Sequence, residues 1–128
     1  MKYRFILLIL LVSSTLFSRE SHRNQITTVP DISRYSIIQS ELSADMTFRL
    51  DKYTGIVSRM LEGNKGTFWL KLKREKHAND IQSKNSVNYQ IFASGLNIQM
   101  IYLLNVHTGV TWELSENSKL GIFWKVIR

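Results

Sequence analysis

The chain contains no cysteine and one proline, Pro30, and only six of its 128 residues are glycine. The missing cysteine excludes a disulfide framework, a thiolate metal site, thiol catalysis and any lipid anchor on a cysteine. A single proline excludes collagen-like and proline-rich architectures. Acidic residues are also scarce: 10 Asp and Glu stand against 17 Lys and Arg, giving a formal charge of +7. The long unbroken apolar run runs only from Phe5 to Val12, well short of the roughly 20 residues that a membrane-spanning helix requires. What the chain does have is an ordinary apolar share of 44%. That share excludes wholesale disorder, and the length suits one well-cored domain.

The amino terminus, MKYRFILLILLVSSTLFS, places Lys2 and Arg4 before the apolar run and small polar residues after it. This is the order of a secretory signal peptide, a helix in its apolar centre, with cleavage expected after Ser18. An uncleaved short anchor is the alternative. The expected location is therefore outside the cytoplasm, periplasmic or secreted, with no stable membrane span after cleavage. Removing residues 1–18 leaves 15 basic and 10 acidic residues, or +5. A charge of that size favours anionic surfaces, and export makes nucleic acid the least natural of them. Residues 19–33 are expected to be a flexible segment ahead of a single β domain at 34–128.

That domain is repetitive. Residues 34–60 align with 88–114 at an offset of 54: Tyr35 with Tyr89, Ile37 with Ile91, Ser40 with Ser94, Met46 with Met100, Leu50 with Leu104, and Thr54-Gly55 with Thr108-Gly109. One inserted residue later, Gly66 meets Gly121 and Phe68-Trp69 meets Phe123-Trp124. An ordered series of this kind reads as duplication, with unit 1 at 34–72 and unit 2 at 88–128.

Each unit reads as strands. Tyr35 to Gln39 and Tyr89 to Ala93 are rich in Ile, Tyr and Phe, residues that fit a pleated surface. Met46, Phe48 and Leu50 alternate with polar residues, as do Val110, Trp112 and Leu114, and Phe68, Leu70 and Leu72 oppose Trp69, Lys71 and Lys73 in the same way. Period two marks a strand with one buried face. Met100 to Leu104 is apolar on both faces, which predicts a strand covered on both sides. About eight strands result, joined as successive hairpins.

The turns have a mechanism. In DKYTG and NVHTG, Asp51 or Asn105 can accept hydrogen bonds from amides just ahead, and Thr54-Gly55 or Thr108-Gly109 closes the loop. Glycine supplies the left-handed conformation there. The polar stretch 73–87 is expected to be a linker, the best candidate for a disordered loop or a single helical turn.

FRLDKYTGIV and YLLNVHTGVTWEL, each followed by an aromatic-ended strand, resemble the repeated "fLLDtkTGkvW" hairpins of small exported bacterial proteins. The same hairpin style is found in blades of some β-propellers. The resemblance covers both units and implies an all-β fold; it brings no catalytic residues with it. A complete propeller needs about four blades or more, and two units supply half of that. The expectation is an all-β domain of two antiparallel meanders closing as a small barrel or a two-sheet sandwich, or pairing with another chain.

The search for chemistry is mostly negative. His22, His77 and His107 have no partner at metal-ligand spacing, GNKG lacks the residues of a phosphate loop, and no serine is flanked as a nucleophile. Asp51 is the one carboxylate in a repeated context, but its counterpart Asn105 can make a turn bond and cannot act as a base. No catalytic residue, metal or cofactor is assigned. Trp69, Trp112 and Trp124 suit core packing first and a sugar-stacking platform second, with Trp69 the exception because Lys71 and Lys73 share its face. Trp69, Lys71, Lys73 and Arg74 are therefore the candidate contact residues. The expected function is a non-catalytic exported module. Its partner would be another envelope protein, an anionic envelope polymer or a second copy in a homodimer. The alternative is a carbohydrate-binding or small hydrolytic protein with an aromatic-lined site.

Overall fold

The computed structural model describes residues 31–128, so the leader at 1–18 and most of the segment at 19–33 lie outside the described residues. The described residues are all-β and form nine strands in two sheets. The first sheet is a meander of β1 (Tyr35–Ser40), β2 (Ser43–Asp51), β3 (Ile56–Gly63) and β4 (Gly66–Lys71), in that spatial order. A two-residue strand, β5 (Lys73–Arg74), crosses to the second sheet. There it lies outside a second meander of β6 (Tyr89–Ala93), β7 (Ile101–Asn105), β8 (Thr111–Asn117) and β9 (Gly121–Val126). The strands do not close into a barrel; two sheets pack over one core.

The two meanders share one pairing register. Tyr35 opposes Asp51 as Tyr89 opposes Asn105, and Leu50 opposes Val57 as Leu104 opposes Thr111. Past the inserted residue, Met60 opposes Trp69 as Leu114 opposes Trp124. The turns match too. Asp51 Oδ1 accepts from the amides of Tyr53 and Thr54 at 3.0 and 3.4 Å, and Asn105 Oδ1 accepts from His107 and Thr108 at 3.1 Å each. In both loops the glycine amide bonds back to the first residue's carbonyl, and Gly55 and Gly109 hold φ of 67° and 74°. Positive φ is costly for a residue with a Cβ, hence glycine.

The core lies between the sheets. From the first come Ile38, Phe48, Leu50 and Val57, from the crossing segment Leu72, and from the second Tyr89, Ile91, Ile101, Leu103, Trp112 and Trp124. Phe48 meets Trp124 across the gap with ring centroids 6.4 Å apart, within the range where tilted aromatic pairs attract.

The two units bury opposite faces of the same repeat. Directly paired residues of an antiparallel ladder share a face, so Ile38, Phe48 and Leu50 mark the inner face of the first unit. Their counterparts at offset 54, Phe92, Tyr102 and Leu104, lie on the outer face of the second unit. Conversely, Ile91, Leu103 and Trp112 face the core, while their counterparts Ile37, Arg49 and Ser58 lie on the outer side of the first.

Several expectations need correction. β4 is an edge strand, and its Phe68 and Leu70 are about half exposed rather than inward and covered. The core ends before it reaches them. β7 is buried on one face only; Tyr102 and Leu104 are half-buried and Met100 is exposed. The segment 73–87 is no loose linker. β5 pairs with β9 in parallel, the one departure from hairpin connection, and the residues after it bond to the second unit. The described residues contain no helix there or elsewhere.

Candidate binding cleft at the sheet junction

The run from Lys71 to His77 passes from one sheet to the other, and alternation decides where each side chain goes. Leu72 turns into the core, while Lys71 and Lys73 stay exposed on either side of it. Arg74 turns inward again. Its guanidinium carbon lies 4.8 Å from the Tyr89 ring centroid and 4.9 Å from that of Trp112, distances suited to cation–π attraction. Its Nη1 donates to the Gly55 carbonyl at 3.0 Å and its Nη2 to Asp80 at 3.0 Å. One side chain thus joins the first unit's turn, the crossing segment and the second unit's core.

Asp80 spreads that connection. It accepts from the Tyr89 hydroxyl at 2.5 Å and from Asn105 Nδ2 at 3.0 Å, while Gln82 donates to the same Tyr89 oxygen at 2.8 Å. Burial pushes the Tyr89 phenol above its usual value, and the bond to Asp80 pushes it further the same way. Asn88, fully buried, donates from Nδ2 to the carbonyls of Tyr53, Ser83 and Ser86. Trp112 Nε1 donates to the Glu75 carbonyl at 2.9 Å. These bonds satisfy polar groups that would be costly to bury alone, and they hold the crossing segment against the core.

Beside this brace runs an open cleft of ≈ 820 Å³, lined by Gly55, Ile56, Lys71, Leu72, Lys73, Arg74, Glu75, Lys76, His77 and Asp80. Three ion pairs occur among the described residues: Arg34–Asp51, Arg74–Asp80 and Lys125–Glu113. None of them uses Lys71, Lys73 or Lys76. Glu75, the other carboxylate at the cleft, accepts the Val126 amide at 3.0 Å. The rim therefore carries three ammonium groups outside any ion pair, in a setting whose guanidinium is already committed.

Comparison with known protein families, curated proteins and solved structures finds no match. The site must be read from its own geometry.

Of the four candidate contact residues, Lys71 and Lys73 line the cleft, Arg74 forms its inner wall and Trp69 lies apart. Trp69 is half-buried on the outer face of the first sheet, with the Arg49 guanidinium carbon 5.0 Å from its ring centroid. Trp112 and Trp124 are wholly buried, so the three tryptophans form no common platform. His77 accepts the Asn79 amide at Nδ1, and His107 Nε2 lies 2.9 Å from the Val87 carbonyl. His22 lies outside the described residues. Asp51 pairs with Arg34 at 2.8 Å. Burial tends to raise its pKa, but Arg34 and the turn amides outweigh that and hold the carboxyl below its usual range.

Sequence reasoning missed Asp80, Tyr89, Asn88 and Gln82 as a group. Asp80 and Gln82 sit in a stretch of ordinary polar composition, and Tyr89 reads as a strand aromatic. Only one signal was available: Asp80 is the lone acid in 77–88, close in sequence to the buried face it serves.

Proposed function

We propose that the protein is a non-catalytic, exported β-sheet module that binds an anionic polymer of the cell envelope along the cleft between its sheets. The supporting observation is the set of Lys71, Lys73 and Lys76 at one rim, outside any ion pair and held on a segment braced by Arg74. Ammonium groups held along a braced segment attract a run of phosphate or carboxylate groups without requiring one sequence or shape. The chemistry offered is attraction and positioning.

Binding of the purified protein to dextran sulfate, against neutral dextran, tests the reading over a salt series. Attraction through exposed charges weakens as ionic strength rises, because the screening length falls from about 10 Å at 0.1 M to about 3 Å at 1 M. Reversing Lys71, Lys73 and Lys76 to Glu should abolish binding, whereas reversing Lys65, Lys84 and Lys119, in exposed turns elsewhere, should leave most of it. Equal losses in the two variants would reduce the effect to net charge and sink the proposal.

Trp69 supports a second reading. It is the one tryptophan of the three that is not fully buried, and an aromatic face can stack on a sugar ring. Quenching of its fluorescence by a neutral oligosaccharide, lost in Trp69→Leu, would favour that reading over the polyanion cleft.

A further inference from the structure

The opposite burial of the two units has a consequence for assembly. Inside the chain, one face of the repeat, marked by Phe48 in the first unit, packs on the other face, marked by Trp124 in the second. Each unit's remaining face is the counterpart of one that the chain already covers with its own partner face. The outer side of the second unit presents Tyr102, counterpart of Phe48, beside Phe92, which is 61% exposed; their rings stack at 6.4 Å. The outer side of the first unit presents Trp69, counterpart of Trp124, and Tyr35, which is 52% exposed.

We infer that a second copy of this chain covers these faces, head to tail, so that the outer side of unit 2 in one copy packs on the outer side of unit 1 in the next. The template is the internal junction itself. Tyr102 of one copy takes the place of Phe48 and Trp69 of the next takes the place of Trp124. The backbone has matching counterparts: the Lys52 carbonyl accepts from the amides of Asn88 and Tyr89 at 2.7 and 2.9 Å, and offset 54 turns these into Val106, Arg34 and Tyr35. The contact joins two different surfaces, so it propagates, ending in a ring where the rotation closes and in a filament where it does not. It is weaker than the internal junction, because Arg49 and Ser58 stand where Leu103 and Trp112 fill the core. Assembly is therefore concentration-dependent.

Sedimentation velocity of the purified protein over a concentration series should show a rising mass. Phe92→Glu and Tyr35→Glu, each at an exposed site, should each sediment as one chain. Mixed in equal amounts they should form a two-chain species and nothing larger, because each supplies the face the other has lost. Trp69→Ala should weaken association at least tenfold, and mixing it with Tyr35→Glu should give no assembly beyond what Trp69→Ala reaches alone, because both changes lie on the same face. A wild-type chain that stays monomeric up to its solubility limit overturns the inference. So does association that survives Tyr35→Glu, or a mixture that never passes one chain.

Discussion

Arg74 sits against the ring of Tyr89, 4.8 Å from guanidinium carbon to ring centroid, although the two residues belong to different segments of the chain. The arginine arrives on the crossing strand and the tyrosine opens the second meander. Their contact is what converts a polar connector into part of the core. Exposure of the Arg74 and Asp80 side chains is 19% and 11%, low enough for the pair to matter to stability. Replacing Arg74 by Met leaves Asp80 without its cation and should cost about 2–3 kcal/mol, slightly less than breaking a fully buried pair. Arg74→Lys should recover only part of this, since an ammonium cannot serve Asp80 and Gly55 with a planar fork. Urea denaturation of the three proteins measures the difference.

Tyr89 leads to a prediction at high pH. Its phenol is raised above the ordinary value of about 10 by burial and by donation to Asp80. The neutral phenol therefore contributes stability that is complete below about pH 10 and is lost as pH rises through the folded value. Tyr89→Phe should be less stable at neutral pH by about 1 kcal/mol, the net worth of a typical hydrogen bond. Its stability should also fall less steeply above pH 10. Thermal melts between pH 7 and 11 follow both effects.

Asp51 carries the opposite pH sign. Its carboxyl is held below the ordinary value by Arg34 and the turn amides despite the opposing effect of burial. The stabilisation it brings is present above about pH 3.9 and is lost as pH falls through the lower folded value. Asp51→Asn keeps the turn acceptor that Asn105 uses in the second unit. It should cost under about 1 kcal/mol at neutral pH, because the Arg34 side chain is 49% exposed. Asp51→Ala removes the acceptor as well and should cost about 1–3 kcal/mol. The gap between wild type and Asp51→Asn should close on acidification. An Asp51→Ala protein with an unchanged melting temperature would refute the structural role of this carboxylate.

Gly55 and Gly109 form a matched pair. Both have positive φ, so alanine at either should cost about 1–2 kcal/mol through backbone strain. At Gly109 an added Cβ meets open space, whereas at Gly55 it runs into Arg74 Nη1 and the Tyr89 ring. Gly55→Ala should therefore be the more damaging by at least about 1 kcal/mol, in the range typical of overpacking. Chemical denaturation of the two variants compares them directly.

The strands, their hairpin order and the two Thr-Gly turns were legible in the residues because each depends on neighbours a few positions away. Leu50 alternating with Arg49 and Asp51 announces a strand, and Asp51 followed by Thr54-Gly55 announces its turn. The crossing segment was not legible. Lys73 to Val87 has the composition of a solvated loop, and nothing in that composition says that Arg74 will find two aromatic rings or that Asp80 will meet Tyr89 and Asn105. Phe68 and Leu70 misled for the converse reason. Their alternation marks an apolar face without saying whether another sheet reaches far enough to cover it.

The lack of cysteine, the shortage of proline and the repeat of 54 residues determine an unstapled all-β chain of two like meanders, because turn chemistry and period-two alternation act locally. They do not determine which side of each meander is inside. Ile37 and Ile38 are both apolar, and so are Phe92 and Ile91; alternation labels two faces and ranks neither. Tertiary packing ranks them. With the first sheet's Phe48 face against the second sheet's Trp124 face, one copy of the repeat is buried on one side and the other copy on the opposite side. Because the first sheet spends one face of the repeat on the core and the second sheet spends the other, one face of each kind is left turned outward.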